Sequence, residues 1–315
     1  MIVLNLEPKN YSNSSIKSWK KNDFIYKESS WSNLKLNKKY PNVEIIIIRL
    51  EKYISNNELA FFPNLKNIIC ATTGSNHIDL ELLKELNIRL FLLKGHDDFL
   101  ETIPSTAEFS WGLLMCLIKK IPFAYEHVKQ GGWNRDLFIG NQLKSKKIGI
   151  VGLVRTGLRM AKYSAAFDMD VFYFDPYVNN KNYIKVNDFD ELLSICDILS
   201  FHVHLNDETK HMLNSDNIHH IKKNSLIINT SRGEILEEKS VVNFLKNNRI
   251  SGVATDVIEG EFINSNSSLL NEINNIDNII ITPHIGGASY DAMRACEDFL
   301  TDYAIKKIKN KLRKK

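Results

Sequence analysis

Residues 146–160 read KKIGIVGLVRTGLRM. A β-branched run ends at Gly152, and a stretch with helical spacing begins near Arg155. Strand, glycine turn and helix in that order form the context of a dinucleotide-binding fingerprint, G-x-G-x-x-G, with Gly152 and Gly157 as its first and third glycines. Val154 stands at the second glycine's place. The first glycine makes a tight turn, the second lets the backbone approach the pyrophosphate, and the third packs helix on strand. Val154 therefore brings a branched Cβ to where a phosphate approaches. The pyrophosphate bonds mainly to backbone N–H groups at the helix start. Valine keeps its N–H, and Arg155 and Thr156 add a cation and a hydroxyl. The expectation is weakened or slightly displaced binding rather than none. Beyond LRMAKYSAAF comes a second apolar run, DVFYFD, whose Asp175 lies 18 residues after Gly157. An acid there suits the ribose hydroxyls and favours NAD over NADP. A plain turn is the competing reading of Asp175-Pro176.

Working outward, short apolar runs recur along the chain: IVLNL, VEIIII, NIICA and IRLFLL, then KIGIVGL, DVFYFD, DILSFHV, SLIINT, GVATDV and NIIITPH. Continuous β-branched runs alternating with helix-like stretches imply parallel sheets covered on both faces. Two such sets in 315 residues predict two doubly wound α/β domains. Between them, ETIPSTAEFSWGLLMCLIKKIPFAYEHV places Pro104, Ser105 and Thr106 at a helix start. Ala107, Trp111, Leu114, Ile118 and Ile121 then repeat at helical spacing, which predicts one crossover helix.

Composition excludes several classes. Hydrophobic content of 43% and charged content of 25% suit a globular chain with a sizeable core. No signal-peptide pattern or bilayer-length apolar run is present, so a cytoplasmic protein is expected. Cys70, Cys116, Cys196 and Cys296 stand singly, without the spacing of a zinc site or a disulfide framework. The final IKKIKNKLRKK holds seven of the positive charges; without it the net +4 becomes −3. That tail reads as a solvated helix end whose cations complement the helix dipole, so neither nucleic acid nor membrane is an expected partner.

Three further stretches carry chemistry. LIINTSRGEILEE places Arg232 past a strand, GVATDVIEGEF places Asp256 at a strand end with Glu261 after it, and NIIITPHIGGASYDA places His284 beyond another. Open α/β sheets bind ligands at the carboxyl ends of their strands. Arginine presents a forked cation to a carboxylate, and histidine exchanges protons near neutrality. A carboxylate beside the histidine fixes its orientation. With a nicotinamide, this set suits interconversion of a 2-oxo acid and a 2-hydroxy acid.

On these motifs, above all NTSRGE, DVIEGE and TPHIGG, the sequence resembles the D-isomer-specific 2-hydroxyacid dehydrogenases, nearer to the phosphoglycerate dehydrogenase-like members. ATTGSNHIDL is similar to the family's substrate loop, and IPSTAEFSWGLLM and GNQLKSKKIGIVGL to segments entering the nucleotide domain. ELLSICDILSFHVHLNDETKHML, which contains His202, is similar to the region bordering the adenine and ribose. The resemblance implies a flavodoxin-like substrate domain, residues 1–101 with 288–315, and an inserted Rossmann-type domain, 102–287. It implies NAD as cofactor and Arg232, Glu261 and His284 as the catalytic set: carboxylate clamp, histidine partner and general acid/base. Asp256 falls where the nicotinamide carboxamide is held, and Thr106, Thr230 and Ser231 along the cofactor. The loop Thr73, Gly74 and Ser75 falls where backbone amides receive the substrate carboxylate. Arg49 lies near that loop, where it reads equally as a second cation for a phosphorylated substrate such as 3-phosphoglycerate and as a surface arginine after a strand; hydroxypyruvate, glyoxylate and a sugar-derived 2-hydroxy acid stay open. Glu261 stands where related formate dehydrogenases carry glutamine. The chain ends soon after the histidine motif, which implies a member without a regulatory C-terminal domain. A homodimer built by the nucleotide domain's first helix is also implied.

The sequence departs from the family at Val154, at Phe262 where a proline is usual, and at His204, which pairs with His202 as H-x-H. Such a pair shares one strand face; with no third ligand in view, no metal is expected. Two other readings stay open: a dinucleotide-sensing, corepressor-like binding protein, and a dehydrogenase fold impaired in cofactor binding by Val154.

Overall fold

The computed structural model describes residues 1–35, 38–262 and 266–312. The last three residues of the basic tail lie outside them. The chain divides into two compact units, Met1–Ile103 with Ala288–Lys315, and Pro104–Gly287.

The first unit is built on β1 (Ile2–Asn5), β2 (Ile25–Glu28), β3 (Val43–Ile48), β4 (Asn67–Cys70) and β5 (Arg89–Phe91). They form one parallel sheet in the order β2-β1-β3-β4-β5, the flavodoxin-like winding. Successive side chains along a strand face opposite ways. Val3, Ile45, Ile47 and Ile69 accordingly pack with Trp19, Leu300, Ala304 and Ile308 on one face. Leu4, Ile46, Ile48 and Ile68 pack with Leu59 and Leu83 on the other. Burial on both faces explains why β1, β3 and β4 read as unbroken apolar runs.

The terminal helix Tyr290–Leu312 is seated in this unit by polar contacts as well as apolar ones. Ser12 and Ser15 donate to Asp298 at 2.6 and 2.7 Å, and Ser18 donates to Asp302 at 2.6 Å. The same docking engages Arg49. Arg49 donates through Nε to Glu297 Oε1 at 3.0 Å, through Nη2 to the same oxygen, and through Nη1 to the Lys9 carbonyl at 2.7 Å. Its guanidinium joins the end of β3 to a carboxylate that is 3% exposed. Arg49 thus ties the end of β3 to the terminal helix.

The second unit holds β6 (Lys147–Val151), β7 (Asp170–Phe174), β8 (Ile184–Lys185), β9 (Ile198–Phe201), β10 (Ser225–Asn229), β11 (Ile250–Thr255) and β12 (Ile279–Ile281). The order β12-β11-β10-β9-β6-β7-β8 is parallel throughout. Counted within the unit this is the Rossmann 3-2-1-4-5-6 arrangement with a seventh strand added. Its winding reverses between β6 and β9, where such sheets take their ligands.

The single crossover helix expected here is two. Ser105–Ile118 ends at Lys119, Lys120 adopts φ +56°, and a second helix runs Ile121–Lys129. Pro122 is the cause: it lacks an N–H and crowds the preceding turn, so it is accommodated only where a helix begins. Ile121, expected on the buried stripe, is instead 50% exposed. Among the described residues, no helix is long and apolar enough to cross a membrane.

Candidate functional site

The turn after β6 shows which glycines are required. Gly152 adopts φ +88°, and a Cβ there would lie 2.8 Å from Val203 and 3.0 Å from the His202 carbonyl. At Gly157 a Cβ would lie 2.0 Å from the Gly152 carbonyl oxygen. Val154, between them, has φ −90° and ψ −160°, extended backbone that any residue adopts. Its side chain is 46% exposed, so the turn itself does not demand glycine there. The helix Arg155–Ala166 starts at once, and its opening amides, including that of Thr156, have no acceptor within the helix. Those amides and the glycine cradle suit a bound pyrophosphate.

Asp175 ends β7 and is 6% exposed. Its carboxylate accepts Leu153 N–H of the glycine turn at 2.8 Å, and Tyr177 and Val178 N–H at 2.9 and 3.0 Å. One acid thus ties the second strand to the fingerprint. His202, past β9, is buried with Nε2 2.8 Å from the Ser200 hydroxyl. Burial pushes its pKa down to about 3, so it is a neutral wall of the turn. Among the described residues, no group of three His, Cys, Asp or Glu side chains suits a metal ion.

The second half of the site rises from β10, β11 and β12. Asn229 closes β10, fully buried; its Oδ1 accepts Ser231 N–H and hydroxyl at 3.0 and 2.7 Å, and its Nδ2 donates to the Arg232 carbonyl at 2.8 Å. Asn229 therefore shapes the turn that presents Arg232. Thr230 shares a 2.6 Å hydrogen bond with Ser110, whose hydroxyl also donates to the Thr106 carbonyl at 2.7 Å. Ser105 donates to the Gly286 carbonyl at 2.9 Å. These contacts bring the start of helix Ser105–Ile118 beside both turns.

Asp256, at the end of β11, is 2% exposed and accepts from the Thr282 hydroxyl at 2.6 Å and from Ile285 and Gly286 N–H at 2.9 and 2.7 Å. Its carbonyl receives His284 N–H at 2.9 Å. Burial raises its pKa, and these donors oppose the rise. Asp256 is thus the brace of the turn that carries His284. That turn needs a brace, because His284 sits at φ +54°, a left-handed conformation unusual outside glycine. From there its Nδ1 lies 2.5 Å from Glu261 Oε1. Arg232 is close by: burial lowers its pKa, while the Glu261 and Glu234 carboxylates oppose that. Guanidinium basicity is high enough that Arg232 stays charged. A Cβ at Gly233 would meet the Ile258 carbonyl carbon at 2.0 Å, so the arginine turn lies backbone-to-backbone on the chain leading to Glu261.

Arg232, Glu261, His284, Asp256, Thr106, Thr230 and Ser231 therefore meet in one unit with the glycine turn. The expected substrate loop lies in the other unit, after β4. There Thr72 donates to the Gly74 carbonyl at 2.8 Å, which curls the loop. Among the described residues no acceptor engages the amides of Thr73, Gly74 and Ser75.

Residues 3–98 match the family model described as the D-isomer specific 2-hydroxyacid dehydrogenase catalytic domain. Residues 111–286 match that family's NAD binding domain. The chain belongs to this family of NAD-binding 2-hydroxyacid dehydrogenases. It is 30% identical to D-3-phosphoglycerate dehydrogenase of Archaeoglobus fulgidus over 93% of this chain and 54% of that protein. Hydroxypyruvate reductase of Thermotoga maritima is 28% identical, covering 81% of each. A D-lactate dehydrogenase from Aquifex aeolicus, solved with NAD and lactic acid, superposes with a TM-score of 0.80 at 24% identity, over 99% of this chain and 97% of that one. The chain spans between 51% and 60% of the length of the phosphoglycerate dehydrogenases it matches first.

Proposed function

We propose that this chain interconverts a small 2-hydroxy acid and its 2-oxo acid with NAD. When bound, NAD supplies or accepts the hydride at the substrate's C2. His284 handles the proton: Nδ1–H is donated to Glu261, which leaves Nε2 for the C2 oxygen. Oxidation sends the hydroxyl proton to Nε2, and reduction returns it. Arg232 offers its fork to the carboxylate and polarises the carbonyl. The three open amides of Thr73–Ser75 suit a carboxylate as well. Asp175 already accepts three amides, and a carboxylate has about four acceptor sites, so one ribose hydroxyl can still be received. Thr106, Thr230 and Ser231 line the nucleotide's path, and Asp256 acts mainly through the turn it braces.

The observation that carries this reading is the His284–Glu261 pair beside Arg232, in the unit that holds the glycine turn. The commitment of Arg49 to Glu297 favours an unphosphorylated substrate, hydroxypyruvate or glyoxylate, over 3-phosphoglycerate. Titration with NADH, read by tryptophan quenching, should saturate, and 2-oxo acids should then be reduced. Glu261→Gln and His284→Ala should each lose turnover while NADH still binds; full turnover in His284→Ala overturns the mechanism.

The assembly we propose is a homodimer. Ile121, Tyr125, Val128, Trp133, Leu137 and Ile139 are all exposed within one short stretch. Four free thiols support a reducing, cytoplasmic setting.

A further inference from the structure

Glu238 opens the helix Glu238–Lys246 and is 1% exposed. Buried carboxylates are kept only where donors satisfy them. The donors here come from both flanks of Glu261. Oε1 accepts Glu259 N–H at 2.9 Å, two residues before it. Oε2 accepts the Ser267 hydroxyl at 2.6 Å and Leu269 N–H at 3.2 Å, on its other side. One side chain therefore holds the chain before and after the histidine's partner. Neighbouring groups steady the same approach: Glu234 Oε1 accepts Gly260 N–H at 3.3 Å, and His211 Nε2 lies 2.8 Å from Glu259 Oε1. Gly260, at φ +71°, is the bend through which Glu261 is aimed.

We propose that Glu238 is a positioning residue, clamping both flanks of Glu261 so that its carboxylate stays on His284 Nδ1. Glu238 touches neither substrate nor cofactor; it acts through Glu261. The catalytic part of this proposal rests on the dehydrogenase reading, whereas the clamp itself does not. A glutamine at 238 keeps the size, but its amide nitrogen cannot accept, so donors on one flank lose their acceptor. Glu261 is then free to drift, and a displacement of about 1 Å in a reacting constellation can cost about 10²-fold in rate.

The test is proton NMR of protein labelled with ¹⁵N-histidine, in which the short Nδ1–H···carboxylate bond of His284 gives a low-field signal, assigned by its loss in Glu261→Gln. Glu238→Gln should lose or broaden that signal and lower kcat by about 10²-fold with little change in KM. Val242→Ala, a core truncation in the same helix, should lower the melting temperature yet keep the signal. Ser267→Ala removes one donor while keeping Glu238, and should weaken the signal partly, which covers a Glu238→Gln protein that does not fold. An unchanged signal in folded Glu238→Gln, or in Ser267→Ala should Glu238→Gln not fold, overturns the clamp. The same overturning follows if Val242→Ala loses the signal equally. Absence of turnover in the parent protein, with the signal still dependent on Glu238, would sink the dehydrogenase reading and leave the clamp standing.

Discussion

At Val154 the backbone answers what the side chain leaves open. The residue occupies extended φ and ψ with its side chain turned largely to solvent, so glycine is not required for the turn. Val154→Gly should change the NADH dissociation constant by less than about threefold, under 1 kcal/mol. A tenfold or greater gain in affinity would show that the branched Cβ blocks the phosphate after all. Gly157 is the opposite case: its Cβ would collide with the Gly152 carbonyl. Asp256 offers a second test. Asp256→Ala strands three buried or half-buried donors, each costing about 1–3 kcal/mol when unsatisfied, and releases the His284 turn. Urea denaturation should show a loss of at least about 2 kcal/mol, with kcat falling in parallel. The residues we propose for the chemistry stand out in the sequence because arginine, glutamate and histidine just past apolar runs are conspicuous. Asn229, Thr282, Gly233 and Glu238 do not, because their importance lies in contacts with turns of other strands. Only the folded backbone shows that a Cβ at Gly233 would strike Ile258.

Elements were read best where they are buried on both faces. All ten apolar runs form strands; among the described residues the two strands without such a run are β2 and β8, both at sheet edges. IYKE in β2 is mostly exposed, and β8 has two residues, so neither carries a two-faced apolar pattern. The helix break at Lys120 was hidden because apolar spacing continues through it while Pro122 forbids the hydrogen bonds. The Arg49 ion pair was hidden for a similar reason: its partner, Glu297, lies 248 residues away on the terminal helix. That ion pair predicts a pH-dependent loss. Burial already raises the Glu297 pKa, and Arg49 is the main opposing influence. In Arg49→Met the folded-state pKa should rise further, so stability is retained in acid and lost as pH rises through that value. Denaturation near pH 8 should show a loss of about 3–5 kcal/mol, shrinking towards pH 4. KM for a 2-oxo acid should stay unchanged. A raised KM with undiminished stability would return Arg49 to the substrate.

At the scale of the whole molecule, two doubly wound parallel domains were legible from the alternation of strands and helices, whereas their particular windings came with the family resemblance. The surface was not legible, because an exposed apolar side chain reads in sequence like a core one. Trp133 is 91% exposed, and Tyr125, Leu137 and Ile139, within eight residues of it in sequence, each stand more than half exposed. Large exposed apolar side chains gathered in one segment mark interaction surfaces, and aromatic residues are enriched where subunits meet. A second copy of this chain is the partner that the closed symmetry of most oligomers favours. Sedimentation equilibrium at micromolar concentration should give twice the chain mass. A double change, Trp133→Ser with Ile139→Ser, should give the single mass. Because a dimer is stabilised by mass action, the melting temperature of the parent should rise with protein concentration, and that of the double variant should not. The substitutions lie on the surface of a helix-and-turn segment outside both cores, so their direct effect on folding should stay within about 0.5 kcal/mol. A parent protein that is monomeric at these concentrations would refute the dimer, and a double variant that stays dimeric would move the interface to another face.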